Sequence, residues 1–392
     1  MPHIHIKEFK TVATPAESGE CRYDFIATNT QHDDEHLIAT TVEDKQFFLL
    51  VKEGEESSLL KSDKITRPSA TYFVQKGLRT YADLSGCDVI DSNVPDQAKN
   101  PHLASDSALK RINDFAENFP EAEEIRIEVG FGSGRHLLHQ AKENPNILFI
   151  GLEIHKASIE QVLKQINIQE LDNVLLLDYD ARLFMEFVPS NVVGRIYVHF
   201  PVPWDKKPHR RVISEAFVNE SIRVLKKGGR LELRTDSENY FQYSWETFIS
   251  MQKVKLEVFK NQEIAITSKY EDRWRKMEKN IYDVTMICDE ESEPLSLEGG
   301  FAFEERAVDL EKLKGFNGET RRFEGGFIHF ERLYGINGTD KLMYRISMGS
   351  FDRPEHLYLI ADENGAEYFP APPVRSRTNL VAHSRLCELI YG

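Results

Sequence analysis

The sequence predicts an α/β protein: a doubly wound, mostly parallel sheet of seven strands in the middle of the chain, flanked by two smaller β-rich domains. Three observations predict it. From Ile125 onward, short apolar runs alternate with helical patterns, the mark of βαβ units. The first of these runs ends in a glycine-rich turn that leads into a helix. On either side of this centre the texture changes to short β-rich runs broken by Gly, Asn and Asp.

In chain order, residues 1–95 read as short strands and form the first β-rich domain. Within it, Leu37–Val51 is two β-rich runs around Glu43-Asp44-Lys45, a hairpin signal. The polar stretch Asp88–Asp106, rich in Asp, Asn and Pro, places a linker at 96–109. The central domain spans 110–288. Its strands are expected at 125–129, 147–153, 173–178, 194–200 and 229–235. Helices fill the gaps at 134–143, 156–168, 181–187 and 212–225. A further helix at 238–249 precedes strands at 254–259 and 281–287. The acidic, turn-rich segment after Cys288 is a second linker, 289–300, and residues 301–392 read as the second β-rich domain. No internal repeat is legible.

Composition bounds the function. With 392 residues the chain is long enough for two or three domains. Its 41% hydrophobic and 29% charged residues exclude wholesale disorder and fibrous chains. No run approaches the ~20 apolar residues of a membrane helix, and the start MPHIHIKEFK has no apolar signal core, so a cytoplasmic protein with no membrane partner is expected. Four widely spaced cysteines suggest reduced, structural thiols. Thirteen scattered histidines predict no metal; His136 and His139 sit i, i+3 without an acidic or Cys partner in spacing. The net charge of −15 argues against a nucleic-acid partner until it is divided. Residues 110–288 hold 26 Lys and Arg against 27 Asp and Glu, a net of −1, so the flanks carry the remaining −14.

Ligands of a doubly wound sheet bind beyond the carboxyl ends of its strands. The first strand ends in Glu128-Val-Gly-Phe-Gly-Ser-Gly134. Glycines at 130, 132 and 134 allow a tight turn and a close approach to a ligand. Position 135 is Arg, so this is not the dinucleotide spacing. A turn of this kind preceded by an acid suits S-adenosylmethionine; a plain strand-to-helix turn or a deviant NAD site are the other readings. Glu153, closing the second strand, can accept both hydroxyls of a ribose. Asp180, after the third, can accept from an adenine amino group or simply cap the next helix. The fourth strand opens into Phe200-Pro-Val-Pro-Trp-Asp-Lys-Lys-Pro-His-Arg-Arg211, a stiff loop that ends in cations. An exposed aromatic there can stack on a base while the cations hold phosphates. The fifth strand ends in Leu233-Arg-Thr-Asp236, and Ser268–Trp274 adds cations and aromatics, by itself an amphipathic surface segment.

Together these stretches resemble the bacterial tRNA (guanine-N7)-methyltransferases. The matches are E-V-G-F-G-S-G at 128–134, G-L-E at 151–153, D-A at 180–181, F-P-x-P-W-x-K-K at 200–207 with an Arg pair after a shortened spacer, R-T-D-S-E-N-Y-F-Q-Y at 234–243 and S-K-Y-E-D-R-W at 268–274. They cover residues 110–288, and the longer chain looks like that of some epsilonproteobacterial members. The resemblance implies a class I, Rossmann-like methyltransferase sheet that makes 7-methylguanosine in the variable loop of tRNA. Glu128, Gly130, Gly132, Gly134, Glu153 and Asp180 would bind S-adenosylmethionine. Lys206, Asp236, Ser268, Lys269, Tyr270 and Glu271 would contact tRNA. In one respect the chain departs from the family: Val202 stands where its loop carries an Asp generally given the catalytic role. Asp205 and Asp236 are candidates to replace it, and a catalytic residue is not assigned. A tRNA-binding protein without turnover, a methyltransferase on another nucleic acid and an NAD-dependent oxidoreductase are the competing readings. The last predicts neither the Pro-Trp-basic loop nor the glycine spacing. Nothing in the flanks suggests a second active site; Arg321-Arg322, Gly325-Gly326 and Arg375–Arg377 offer a basic face within the acidic average, with scaffold or subunit contact the preferred reading. The oligomeric state is not readable.

Overall fold

The computed structural model describes residues 1–68, 70–96, 108–263, 277, 279–351 and 353–392, and of Asp114 only the backbone. Among them, no helix is long and apolar enough to cross a membrane. The chain divides into two compact units, and the second falls within the sequence of the first. Unit 1 is residues 1–104, 298–373 and 377–392; unit 2 is residues 105–297 with 374–376.

The N-terminal part of unit 1 runs β1 (His3–Ile6), β2 (Ala16–Ser18), β3 (Cys21–Asn29), β4 (Glu35–Val42), β5 (Lys45–Lys52), β6 (Ser58–Ser62), α1 (Thr71–Ser85) and β7 (Val89–Ser92). Unit 2 follows with α2 (Ile112–Glu117), β8 (Ile125–Val129), α3 (Arg135–Glu143), β9 (Leu148–Glu153), α4 (Lys156–Gln169), β10 (Val174–Asp178), α5 (Ala181–Met185) and β11 (Val193–His199). It continues through α6 (Glu215–Val224), β12 (Leu225–Thr235), α7 (Glu238–Ile249), β13 (Val254–Lys260) and β14 (Tyr282–Cys288). The C-terminal part of unit 1 is α8 (Leu310–Lys314), β15 (Thr320–Phe323), β16 (Gly326–Ile336), β17 (Leu342–Ser350), β18 (Pro354–Asp362), β19 (Gly365–Phe369) and α9 (Arg377–Tyr391).

The flanks, expected as two domains, build one sheet of twelve strands, because β3 pairs antiparallel with β16 through Asn29↔Tyr334, Thr28↔Gly335 and Ala27↔Ile336. β2 and β15 cover only the first part of β3 and β16; either half alone would leave the rest of its long strand as an open edge, and the pairing closes both at once. Glu35 locks the seam. Its buried carboxylate accepts from Arg332 Nη1 at 2.7 and 2.8 Å, Tyr334 Oη at 2.7 Å and Asn29 Nδ2 at 3.3 Å.

A repeat does exist, in topology. β2–β3–β4–β5–β6–α1 and β15–β16–β17–β18–β19–α9 share one order: a short strand, a long strand, three more antiparallel strands, then a helix. In each copy the long strand carries a bulge against the next, between Tyr23 and Ile26 and between Phe330 and Arg332. Antiparallel pairing of the two equivalent long strands is what a local two-fold axis produces. Alternation along the strands places the cores under α1 and α9 on one side of the sheet. A third core, with Ala27, Leu37, Phe48, Tyr334 and Tyr358, draws on both copies and occupies the other side. Reading these flanks as strands alone missed the helices α1, α8 and α9.

Unit 2 is a seven-stranded sheet in the order β10-β9-β8-β11-β12-β14-β13; the first five are parallel and β14 runs against them. Leu137, Ala141, Val162 and Ile166 of α3 and α4 are buried on one face. On the other, Phe184, Phe217, Val218, Tyr240 and Phe248 of α5–α7 close a large apolar core. Two layers of helices leave the carboxyl ends of β8 to β12 as the open rim where ligands are taken.

Candidate active site

The turn after β8 is held by its own backbone. Gly130, Gly132 and Gly134 have φ of +69°, +53° and +68°, a region that costs an L-residue roughly 1–2 kcal/mol. The three differ in what surrounds them. A side chain at Gly134 would put Cβ 2.4 Å from Val162 Cγ2 of α4, so this glycine lets two helices touch. A Cβ at Gly130 would meet nothing within 4 Å, and one at Gly132 only the Gly130 carbonyl oxygen at 4.0 Å. The turn therefore presents bare backbone to open space.

Glu153 braces that turn from β9. Its Oε2 accepts from the Gly132 N–H at 2.9 Å, and its Oε1 from the N–H groups of Ile154 and His155 at 2.8 and 3.0 Å. An ionised carboxylate has about four acceptor sites, so one remains for a ligand. Asp180 caps α5, accepting from the Arg182 N–H at 3.0 Å, and also takes Arg182 Nε and Nη2 at 3.1 and 3.0 Å. The capping role read from the sequence is thus observed.

Glu128 is 3% exposed, and His136 Nδ1 lies 2.7 Å from its Oε2. The acidic partner that sequence spacing did not supply comes from the neighbouring strand. Burial lowers the His136 pKa, but the Glu128 carboxylate outweighs it and the net shift is upward. Beside it, His199 is pushed well below its ordinary value by burial and by the nearby His136 and Arg234. Among the described residues no group of three or more His, Cys, Asp and Glu forms a metal-like cluster.

The loop after β11 is unusual in its backbone. Phe200 and Trp204, neither of them glycine, have φ of +50° and +46°. Between them Val202 is 61% exposed, and Trp204 is 37% exposed with the Arg210 guanidinium 5.1 Å from its ring centre. Lys206 and Lys207 are exposed. Asp205 Oδ1 lies 3.2 Å from Arg211 Nη2, and Asp236 Oδ2 lies 2.8 Å from Lys279 Nζ. Both candidate carboxylates are ion-paired. Ser268, Lys269, Tyr270 and Glu271 lie outside the described residues.

A family model described as a methyltransferase matches residues 122–284. The chain is 41% identical to a tRNA (guanine-N(7)-)-methyltransferase of Wolinella succinogenes, over 99% of both proteins. It is 41% identical to one of Campylobacter fetus subsp. fetus over 91% of both, and 34% identical to one of Helicobacter pylori over 100% of this chain and 98% of that protein. The chain belongs to the tRNA (guanine-N7)-methyltransferase family. The match runs through both flanks, so the sequence that builds the twelve-stranded unit here is shared with these tRNA (guanine-N7)-methyltransferases.

Set against the family motifs, the fold brings the glycine turn, Glu128, Glu153 and Asp180 to the ends of three adjacent strands, β8, β9 and β10. The Pro-Trp loop and Asp236 follow at the ends of the next two, β11 and β12. Sequence reasoning weighed His136 only as a metal ligand and Arg211 only as one of the loop's phosphate-holding cations; the structure gives His136 the Glu128 carboxylate and buries Arg211. Neither has a local signal: each is defined by a partner on another element.

Proposed function

We propose that the rim of unit 2 binds S-adenosylmethionine and the variable loop of tRNA, and that the chain methylates guanine N7 there. The observation that carries this is the 41% identity, over 99% of both chains, to a protein named tRNA (guanine-N(7)-)-methyltransferase. The residues suit the cofactor: open space over Gly130 and Gly132 is a cradle that a side chain would fill, and Glu153 keeps one acceptor site for a ribose. When bound, S-adenosylmethionine supplies an electrophilic methyl group on a sulfonium. The protein's task is then positioning. Guanine N7 carries a free lone pair and no proton, so no general base is needed to make it a nucleophile. What the site must add is alignment, and stabilisation of the positive charge that develops on the purine. Lys206, Lys207 and Arg210 are disposed for phosphates, and exposed Trp204 for a base. Asp205 or Asp236 would accept from the guanine edge in place of the acid absent at Val202.

The test is incubation with methyl-labelled S-adenosylmethionine and unmodified tRNA transcripts, followed by nucleoside analysis. Labelled 7-methylguanosine is expected. Val202 favours one second reading, a tRNA-binding protein without turnover. Cofactor and tRNA both binding by calorimetry, with no labelled product, would replace the first reading with the second.

A further inference from the structure

We infer that Arg211 is the positioning residue of the substrate loop, the brace that keeps Phe200–Asp205 in its strained shape; this rests on the proposed function only in what the loop is for. Arg211 is 6% exposed, and a cation is seldom buried unless its donors are used. Its Nε donates to the Pro203 carbonyl at 2.8 Å and its Nη2 to Asp205 Oδ1 at 3.2 Å. The guanidinium lies 5.1 and 4.7 Å from the ring centres of Tyr240 and Tyr243, both on α7. Tyr240 is itself fixed, accepting from the Ile213 N–H at 3.0 Å. One side chain therefore ties the loop to a packed helix.

The loop needs such a tie. Two non-glycine residues in the left-handed region persist only where their surroundings over-determine them, and such strain collects at functional sites. The entry is held by Phe200 N–H to the Arg234 carbonyl at 2.7 Å, and the exit by Lys207 N–H to the Trp204 carbonyl at 2.8 Å. In between, Pro201 and Pro203 have no N–H to give, so they cannot brace the span as donors. Arg211 grips the middle of that span. Its planar fork reaches a backbone carbonyl and a carboxylate at once while its faces stack; a lysine ammonium cannot do all three.

The experiment compares Arg211→Lys and Arg211→Gln with the wild-type chain on four readouts. These are tryptic cleavage after exposed Lys206, KM for tRNA, calorimetric affinity for S-adenosylmethionine, and melting temperature. Losing a charged hydrogen-bond fork should speed cleavage and raise KM for tRNA by about tenfold in either variant. Cofactor affinity should stay within about twofold, because the glycine turn is untouched. Unchanged cleavage and KM would overturn the proposal. So would a parallel fall of cofactor affinity, melting temperature and tRNA activity, which marks general support of the core. Should Arg211→Gln not fold, Arg211→Lys decides by the same criteria. If the wild-type chain makes no 7-methylguanosine, the functional reading fails, while the cleavage comparison still tests the brace.

Discussion

At Val202 an exposed aliphatic side chain stands where the motif resemblance implies a carboxylate, yet the reaction does not require a base. The burden then shifts to groups that can take positive charge from the purine. If Asp205 or Asp236 does so, Asp205→Asn or Asp236→Asn should lower kcat by roughly tenfold or more, the size of a lost charged contact at a developing ion. Steady-state kinetics with saturating cofactor checks this, and two unaffected variants would leave neither residue with the role. Glu35 carries a different consequence. Burial alone would push its carboxyl up, but hydrogen bonds from Tyr334, Arg332, Lys52 and Asn29 prevail and hold it at about 2 against an ordinary 4.5. A depressed carboxyl stabilises the fold above its unfolded value and loses that contribution as pH falls through the folded one. We predict that Glu35 contributes on the order of 3 kcal/mol above about pH 4.5, fading towards pH 2. Urea melts of the wild-type chain and Glu35→Gln should differ by that amount at pH 7 and converge in acid.

Apart from α2, which was missed, and β12, which starts at Leu225 rather than at 229, the strands and helices of unit 2 were legible to within about three residues, because each apolar run ended in a turn or cap whose chemistry is local. Ser214 and Ser237, for instance, accept from the N–H groups of Phe217 and Tyr240 at the starts of α6 and α7. Helix α1 was not legible. Tyr72-Phe73-Val74 at its start reads as β-rich, and Gly77 inside it speaks against a helix. The glycine is needed for packing: a Cβ there would lie 3.2 Å from Phe47 and 3.3 Å from Thr40. Tertiary contact thus overrides propensity, and one sequence does not display tertiary contact. The same distinction predicts how the glycine turn answers to change. Gly134→Ala should destabilise unit 2 by more than about 2 kcal/mol, adding a clash with Val162 to the backbone strain. Gly130→Ala should lose only about 1–2 kcal/mol of stability but more of its cofactor affinity, since its methyl group would point into the cradle. Thermal melts and calorimetric titration, side by side, separate the two; equal stability losses would mean that Gly130 is not open to a ligand.

For the whole molecule, the sequence read as beads on a string what the structure builds as one unit interrupted by another. The pairing of β3 with β16 and the core shared by both halves reveal this, and a contact between residues some 300 apart leaves no periodic trace. A chain truncated after Leu297 should therefore lose more than its tail. Without β15–β19 the third core loses Tyr334, Met343 and Tyr358, and the remaining half should bind a hydrophobic dye and show no cooperative melt of its own. Two native transitions in that truncated chain would mean that the N-terminal half folds alone. The seam also has a clock. Glu35 leaves the ribosome 297 residues ahead of Arg332, a wait of roughly 15–60 s at ~5–20 residues per second. For that interval the open end of β3 and the apolar side around Phe48 have no mate, and by its close every strand of the catalytic unit has emerged. In the cell, the enzyme's oldest residues are the last to find their place.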